Sequence, residues 1–386
     1  MVTPSAELSA APTDNRSRVT GGDRDALGLW MATRVAVVAT IGAAGWLVGD
    51  GQRPGDLLGR LLQWDAVHYA AIAAYGYDGD PASIDPTPLE AFFPGFPLVL
   101  RAVATTGLPY AVAGPLVSLV AGAVAVVALY RLAVVEAGPD GRGSRAVLLL
   151  LLSPTAVFLA AGYTEALFLA LALPCWLAAR RGSWAAAGLL ATAACAVRVT
   201  GLFLAAALLV QWATTREHRR LGALPWLALP ALPALAYSVY LEARTGDWLA
   251  WQHAQESHWG RVLTSPWEAF TTTWRAGFLD PGQPPGFAWY FRLEIVAVLV
   301  GVVLTGWLLI RRRWGESTYV GLQVAALATS AFYLSVPRAT LLWWPLWTGL
   351  AVWSLRHRWV WWAYLSVSAP LMVLLAATYA TGRWAG

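Results

Sequence analysis

Long apolar runs separated by short polar segments make up most of this chain. A helix of about 20 apolar residues spans the hydrocarbon core of a bilayer, so each such run predicts a transmembrane helix. We therefore predict an all-α polytopic membrane protein with about eleven transmembrane helices. The predicted spans lie at about 27–49, 110–135, 146–161, 163–179, 184–199, 200–214, 223–242, 291–311, 317–335, 339–355 and 359–381.

The polar segments between the predicted spans differ in character. Residues 1–26 are rich in Ala, Ser, Thr, Asp and Arg without helical periodicity, which predicts a disordered cytoplasmic tail. The first loop, 50–107, has apolar positions at helical spacing over 55–75, so we expect an amphipathic helix on the membrane surface. Its last part, 91–107, is short for a full crossing and is interpreted as interfacial or re-entrant. A second long loop follows at 243–290.

Arginines orient the predicted spans. All 27 basic residues are arginine, and twelve of them form clusters in short loops that lie on one side if the N-terminus is cytoplasmic. Loops rich in Arg or Lys stay in the cytoplasm, so the loops 50–107 and 243–290 are predicted to be extracytoplasmic. The clustered arginines are Arg142, Arg145, Arg180, Arg181, Arg216, Arg219, Arg220, Arg311, Arg312, Arg313, Arg356 and Arg358. Single arginines at the outer side are Arg101, Arg198, Arg244, Arg261, Arg275, Arg292 and Arg338.

Composition narrows the functional classes. The chain is 58% hydrophobic and 13% charged, with a net charge of +5, whereas soluble domains have about 25% charged residues. We expect no nucleic-acid partner, because the arginines alternate with apolar spans and form no basic face. Cys175 and Cys195 both fall in apolar runs, and we interpret them as buried residues without a disulfide or zinc.

Two ionisable residues in the first outer loop are candidates for chemistry. Asp65 and His68 lie three residues apart, so they share one face of the predicted amphipathic helix. A partly desolvated carboxylate could act as general base toward a hydroxyl, and the imidazole could orient a phosphate or relay a proton. The alternatives are an exposed aspartate on an amphipathic helix and a half-buried histidine with a structural partner.

Three further ionisable residues lie next to apolar runs. Glu165 follows Gly162-Tyr163-Thr164, where a carboxylate is costly and therefore a functional candidate; the alternative is a helix start capped by Thr164. Arg198 and Arg338 are predicted at the outer membrane boundary. A guanidinium there suits a phosphodiester, while contact with lipid headgroups is the alternative.

A metal site is not expected in the second outer loop. His253 and His258 are separated by five residues, which does not place them on one helical face, although Glu256 lies between them. We therefore predict no metal and no other cofactor.

Several motifs together resemble those of the PIG-V family of mannosyltransferases. They occur in order over 27–381, which we interpret as one transmembrane domain. The motifs are Trp64-Asp65 with His68-Tyr69, Ala91-Phe92-Phe93-Pro94-Gly95-Phe96-Pro97, Ser153-Pro154, Ala161-Gly162-Tyr163-Thr164-Glu165-Ala166-Leu167-Phe168, Arg198 with Gly201, and Pro337-Arg338.

The resemblance implies a GT-C type glycosyltransferase bundle that uses a polyprenyl-phosphate sugar on the extracytoplasmic side of the cell membrane. It places the catalytic base at Asp65, and direct displacement would invert the configuration of mannose. The expected partners are polyprenyl-phosphate-mannose, a lipid-linked or glycan acceptor, and membrane lipids. The expected donor phosphate ligands are Arg198, Arg338 and His68, and the expected sugar or acceptor ligands are Trp64, Tyr69, Tyr163 and Glu165.

Three alternatives remain open at this point. The same scaffold could use another polyprenyl-phosphate sugar, such as glucose or arabinose. A lipid or glycolipid transporter is a second class, although its ionisable groups should lie near mid-membrane on broken helices. A non-catalytic assembly subunit would keep the fold, and its Asp65→Asn variant would leave glycan transfer unchanged.

Overall fold

The computed structural model describes residues 15–47, 57–85, 87–138, 141–280 and 287–386. Within these ranges the chain forms eighteen α-helices and no β-strand. In chain order the helices are α1 (Asn15–Leu47), α2 (Leu57–Leu61), α3 (Asp65–Tyr75), α4 (Gly95–Ala104), α5 (Tyr110–Ala137), α6 (Arg142–Leu151), α7 (Thr164–Arg180), α8 (Trp184–Val197), α9 (Gly201–Thr214), α10 (Leu224–Ala228), α11 (Ala231–Thr245), α12 (Ala250–Trp259), α13 (Pro266–Phe278), α14 (Ala288–Ile310), α15 (Trp314–Ala328), α16 (Val336–Ala339), α17 (Trp344–Arg356) and α18 (Arg358–Ala380).

Five helical stretches of the described chain are long and apolar enough to cross a membrane. The prediction of an all-α, multi-pass membrane protein is therefore confirmed, while the count of eleven spans stays a prediction. The remaining predicted spans correspond to shorter helices, of which α8 and α9 are apolar. The five stretches are Gly21–Leu47, Tyr110–Ala137, Leu221–Thr245, Ala288–Ile310 and Arg358–Ala380.

The predicted disordered tail is wrong for residues 15–26, because α1 begins at Asn15; residues 1–14 lie outside the described residues. The start of α1 packs against α5. Two nitrogens of Arg131 donate to the Asp23 carboxylate at 3.1 and 2.6 Å, and Gly22 lies so close to Tyr130 that a Cβ would overlap its ring. Tertiary contacts thus stabilise a helical start that composition alone does not indicate.

The predicted amphipathic helix over 55–75 is two helices. α2 ends at Leu61 and α3 begins at Asp65, because Trp64 has a left-handed φ of 53° that no helix can contain. Residues 55–56 lie outside the described residues. The break makes Asp65 the first residue of α3 instead of a mid-helix position. As predicted, the end of this loop is too short to cross a membrane, since α4 has ten residues.

The helices pack around α5 and α7, which contact each other along their lengths, with α1 and α6 against α5 and α8 against α7. A second group joins α9 to α15 and α14, and α17 and α18 pack against α6 and α1. The second long loop contains the short helices α12 and α13. α12 packs against the segment just before Phe92, so the two long loops meet.

Candidate active site

The turn before Asp65 is held by two tyrosines from distant helices. The Tyr163 hydroxyl, next to the start of α7, donates to the Gln63 carbonyl at 3.0 Å. The Tyr379 hydroxyl of α18 donates to the Leu61 carbonyl at 3.1 Å. Both hydroxyls are buried, so these bonds fix the backbone. The position at which α3 begins, and with it the Asp65 carboxylate, is therefore set by tertiary contacts.

The aromatic-proline run connects α3 to the end of α8. Phe92 packs edge-on against Tyr69 of α3, with ring centroids 5.2 Å apart. Gly95 lies directly against the backbone of α8, where a Cβ would be 2.5 Å from the carbonyl carbon of Ala196. Only glycine allows such a close approach. The contact places α3 beside the chain that continues into Arg198.

Four sequence-predicted residues form one continuous network of ion pairs. Arg338 Nη1 donates to Asp65 Oδ2 at 2.9 Å, and Arg338 Nε lies 3.1 Å from Glu165 Oε1. Arg198 Nη1 donates to the same Glu165 oxygen at 2.7 Å and also to the Thr164 hydroxyl. Residues 65, 165, 198 and 338 are thus brought together by their side chains, although they belong to separate segments of the chain.

Glu165 lies beneath the two arginines and has no exposed surface. A buried carboxylate is costly unless it is paired, and here one oxygen is shared by two guanidinium groups. Arg338 also lies over the rings of Phe158 and Tyr163, at 5.3 and 5.4 Å from their centroids. Burial opposes the charge of Arg338, but Glu165 and Asp65 raise its pKa above the ordinary value. The network therefore keeps Arg338 charged.

A cavity of about 580 Å³ opens above this network. Its volume is in the range of small-molecule sites, about 300–1,000 Å³. Asp65, Arg198 and Arg338 line this cavity, as do Trp251 and Trp259 of α12. One carboxylate and several guanidinium groups thus face a common space lined by aromatic side chains.

Arg261 is a third arginine of this cavity, and the sequence indicated it only as a single arginine on the outer side. Its Nη2 donates to the Leu334 carbonyl at 3.3 Å, and it forms no salt bridge within the described ranges. Burial, together with the charge of Arg338, lowers the pKa of Arg261 to about 10, so it stays charged at neutral pH. The signal in the sequence that could have indicated Arg261 was its position between Trp259 and an apolar pair, Val262-Leu263.

Glu294 of α14 is a positioning residue that sequence reasoning missed. Its carboxylate accepts the backbone N–H groups of Ser335 and Val336 at 2.7 and 2.8 Å. Ser335 has a left-handed φ of 62°, and α16 with Arg338 starts just after it. A lone carboxylate near the start of a long apolar helix is the signal that selected Glu165, and it applies here as well.

His68 lies beside the cavity and does not line it. Its ring packs on Phe92 with centroids 5.3 Å apart. Burial lowers the pKa of His68 below its ordinary value, against the charges of Asp65 and Asp85. Its assignment to the donor phosphate stays a prediction.

The aromatic candidates occupy three different places. Tyr69 lines the cavity, while Tyr163 is buried and bonds the backbone at Gln63. Trp64 is 40% exposed and packs edge-on against Trp384 at 5.3 Å. Their assignment, with Glu165, to sugar or acceptor binding stays a prediction. In the described chain no three of His, Cys, Asp and Glu converge to form a metal site.

Comparisons with known proteins agree with the resemblance. Residues 51–218 match the family model described as mannosyltransferase (PIG-V). Over 156 residues the chain is 36% identical to GPI alpha-1,6-mannosyltransferase 2 of Mus musculus and of Cricetulus griseus, and 35% identical to that of Homo sapiens. Each match covers 38% of this chain and 30% of the relative, so less than a third of the relatives' length is spanned.

The matched family region includes Asp65, Glu165 and Arg198, whereas Arg261 and Arg338 lie beyond it. The network described above therefore joins residues inside that region to residues outside it. Residues 51–218 of this chain are therefore similar to the PIG-V family of mannosyltransferases.

Proposed function

We propose that this protein is a membrane mannosyltransferase, which takes mannose from polyprenyl-phosphate-mannose and transfers it to a hydroxyl group of a lipid-linked or glycan acceptor on the extracytoplasmic side. The observation that carries the proposal is a single cavity lined by Asp65 and by Arg198, Arg261 and Arg338. Transfer from a sugar phosphate needs this combination, because the attacking hydroxyl group requires a base and the departing phosphate carries negative charge.

Asp65 is the base in the proposed step. Its Oδ2 is bound by Arg338, and its Oδ1 accepts no hydrogen bond from any described residue. Oδ1 takes the proton from the acceptor hydroxyl as that oxygen attacks the anomeric carbon. General base catalysis of this kind contributes about 10²–10⁴-fold. The bond between Arg338 and Oδ2 orients the carboxylate toward the cavity.

The three arginines stabilise the leaving group. As the new C–O bond forms, the bond from the anomeric carbon to the phosphate oxygen breaks, and polyprenyl phosphate leaves with the electron pair. Preorganised charges directed at the group where charge develops are the strongest form of such stabilisation. Attack and departure on opposite faces of the sugar invert its configuration. Arg261 is expected to contribute most directly to phosphate binding, because it forms no salt bridge with a carboxylate of the described chain.

The extracytoplasmic side is supported by the distribution of arginine along the sequence. The clusters of short loops fall opposite to the loops that contain Asp65 and Arg261, in agreement with the positive-inside rule. Cysteine labelling of an introduced residue in the exposed segment near Ile84 tests this orientation, and labelling from the cytoplasmic side alone would contradict it.

The decisive experiment reconstitutes the purified full chain with labelled polyprenyl-phosphomannose and membrane lipid extract. Asp65→Asn should lower transfer by about 10²–10⁴-fold. Asp78→Asn is the matched control, because Asp78 lies in the same loop, is exposed and pairs with Arg244; it should keep wild-type transfer. Equal transfer by wild type and Asp65→Asn would remove Asp65 as the base. Polyprenyl-phosphoglucose offered in parallel tests the identity of the sugar.

A further inference from the structure

A second cavity, of about 530 Å³, is surrounded by arginines from three separate connections. Arg180 comes from the end of α7, Arg216 and Arg219 follow α9, and Arg312 and Arg313 lie between α14 and α15. We name it the arginine cavity. It belongs neither to the candidate active site nor to any role proposed above.

The arginine cavity lies at the opposite ends of helices that form the candidate active site. α7 begins at Thr164, next to Glu165, and ends at Arg180 after 17 residues, which corresponds to about 25 Å of helix. α9 likewise leads from the segment of Arg198 toward the arginine cavity, and α15 leads back. This separation is close to the bilayer core of about 30 Å. The two cavities therefore lie at opposite ends of these helices, and we interpret these ends as the two faces of the membrane.

The charges around the arginine cavity are unbalanced. Glu316 is the acidic residue among its described lining residues, and it is already bound by Arg313 through two hydrogen bonds. Arg313 also pairs with Glu136 at 2.7 Å. The other four arginines are exposed and form no salt bridge in the described part of the chain.

The convergence of these arginines around one cavity needs an explanation beyond the orientation of the protein in the membrane. The positive-inside rule accounts for the face on which the arginines lie, but not for four of them from three connections around one space. Like charges at such a site repel each other. In addition, Arg312 has a left-handed φ of 55°, a strained conformation that persists where the surrounding structure imposes it.

We propose that the arginine cavity binds a phosphate group, presented by an anionic phospholipid or by a soluble phosphate, on the face opposite the candidate active site. The guanidinium fork matches phosphate oxygens through two parallel hydrogen bonds. Gln211 and Thr215, which also line the cavity and bond to each other at 2.9 Å, supply further polar groups. The proposal does not depend on the reaction assigned to the candidate active site.

Direct binding measurements on the purified full chain in neutral detergent test the proposal. Phosphatidylglycerol, phosphatidylcholine and inorganic phosphate are titrated separately, and bound ligand is counted by native mass spectrometry. The test variant is Arg216→Gln with Arg219→Gln. The matched control is Arg356→Gln with Arg358→Gln. These two substitutions remove the same amount of charge from exposed arginines on the same predicted side, outside the cavity.

We expect saturable binding of phosphatidylglycerol by wild type. Binding should be about 25-fold weaker in the test variant, at about fivefold per arginine, and unchanged in the control. This result would support a lipid headgroup as the ligand. The same pattern with inorganic phosphate alone would support a soluble phosphate. The proposal would be overturned if binding were weakened equally in the test and control variants. It would also be overturned if wild type bound neither phosphatidylglycerol nor inorganic phosphate saturably. A second variant, Arg180→Gln with Arg312→Gln, comes from other connections and must show the same loss.

Discussion

The two ends of the bundle contain ionic networks with opposite arrangements. At the candidate active site one carboxylate, Glu165, is shared by two arginines, Arg198 and Arg338. At the opposite end one arginine, Arg313, is shared by two carboxylates, Glu136 and Glu316. Both shared groups are largely buried, so each network exists because its central charge would otherwise be costly.

The difference determines which charges remain for ligands. In the network at the candidate active site the central group is negative and holds two cations at the wall of the cavity, where Arg261 adds a third. In the network at the opposite end the central group is positive and neutralises the nearby acids, so that the surrounding arginines are left without carboxylate partners. The same residue types can therefore build a reaction site with both charges, or a site that accepts only anions.

The largest effect is expected from removing the charge of one carboxylate in each network. Glu165→Gln leaves Arg198 without its carboxylate partner, and breaking a buried pair in this way costs about 3–5 kcal/mol. Glu316→Gln should cost less than about 3 kcal/mol, the lower end of that range, because Arg313 keeps Glu136 and the repulsion between the two glutamates disappears. Chemical denaturation in detergent measures both. If the two variants lost equal stability, the opposite arrangements would have no energetic meaning.

A smaller effect, on function alone, is expected at Arg261. Arg261→Gln should raise the KM for the polyprenyl-phosphate donor by about 10–100-fold, since a hydrogen bond to a charged group contributes about 1.5–3 kcal/mol. Stability should stay near wild type, because Arg261 belongs to no salt bridge among the described residues. Arg101→Gln, at an exposed arginine of α4, is the control. An unchanged donor KM in Arg261→Gln would separate Arg261 from the donor phosphate.

The smallest effect concerns pH and His68. Burial lowers the pKa of His68, so the unfolded chain binds a proton at higher pH than the folded chain does. This contribution makes stability fall as the pH drops below the ordinary histidine value of about 6.5. In His68→Gln the difference in melting temperature between about pH 7.5 and about pH 5.5 should be smaller than in wild type. The same reduction in His357→Gln, at an exposed turn, would argue against a specific role of the His68 environment.

The sequence predicted the ionisable residues of the site better than the backbone that holds them. Glu165, Arg198 and Arg338 could be selected because a charge next to an apolar run needs a reason. The break at Trp64 could not be predicted, since it depends on hydroxyl groups at Tyr163 and Tyr379 that are far away in the chain.

Two other residues of the site were not predicted from the sequence, for different physical reasons. Arg261 was one of several single outer arginines, and only the folded chain shows that it faces the same cavity as Asp65. Glu294 follows the rule that selected Glu165, but its partners are backbone N–H groups that have no signature in the sequence. The predicted helix over 55–75 failed because hydrophobic spacing does not reveal a single left-handed residue.

The pinning of the turn before Asp65 has a consequence for biosynthesis. A nascent chain emerges from the ribosome N-terminus first and its early segments insert before the late ones. When the last residue of the 51–218 region has been made, neither Tyr379, which closes the turn, nor Arg338, which orients the carboxylate, has yet been synthesised. The turn before Asp65 can therefore be closed, and the Asp65 carboxylate paired with Arg338, only after α18 has joined the bundle.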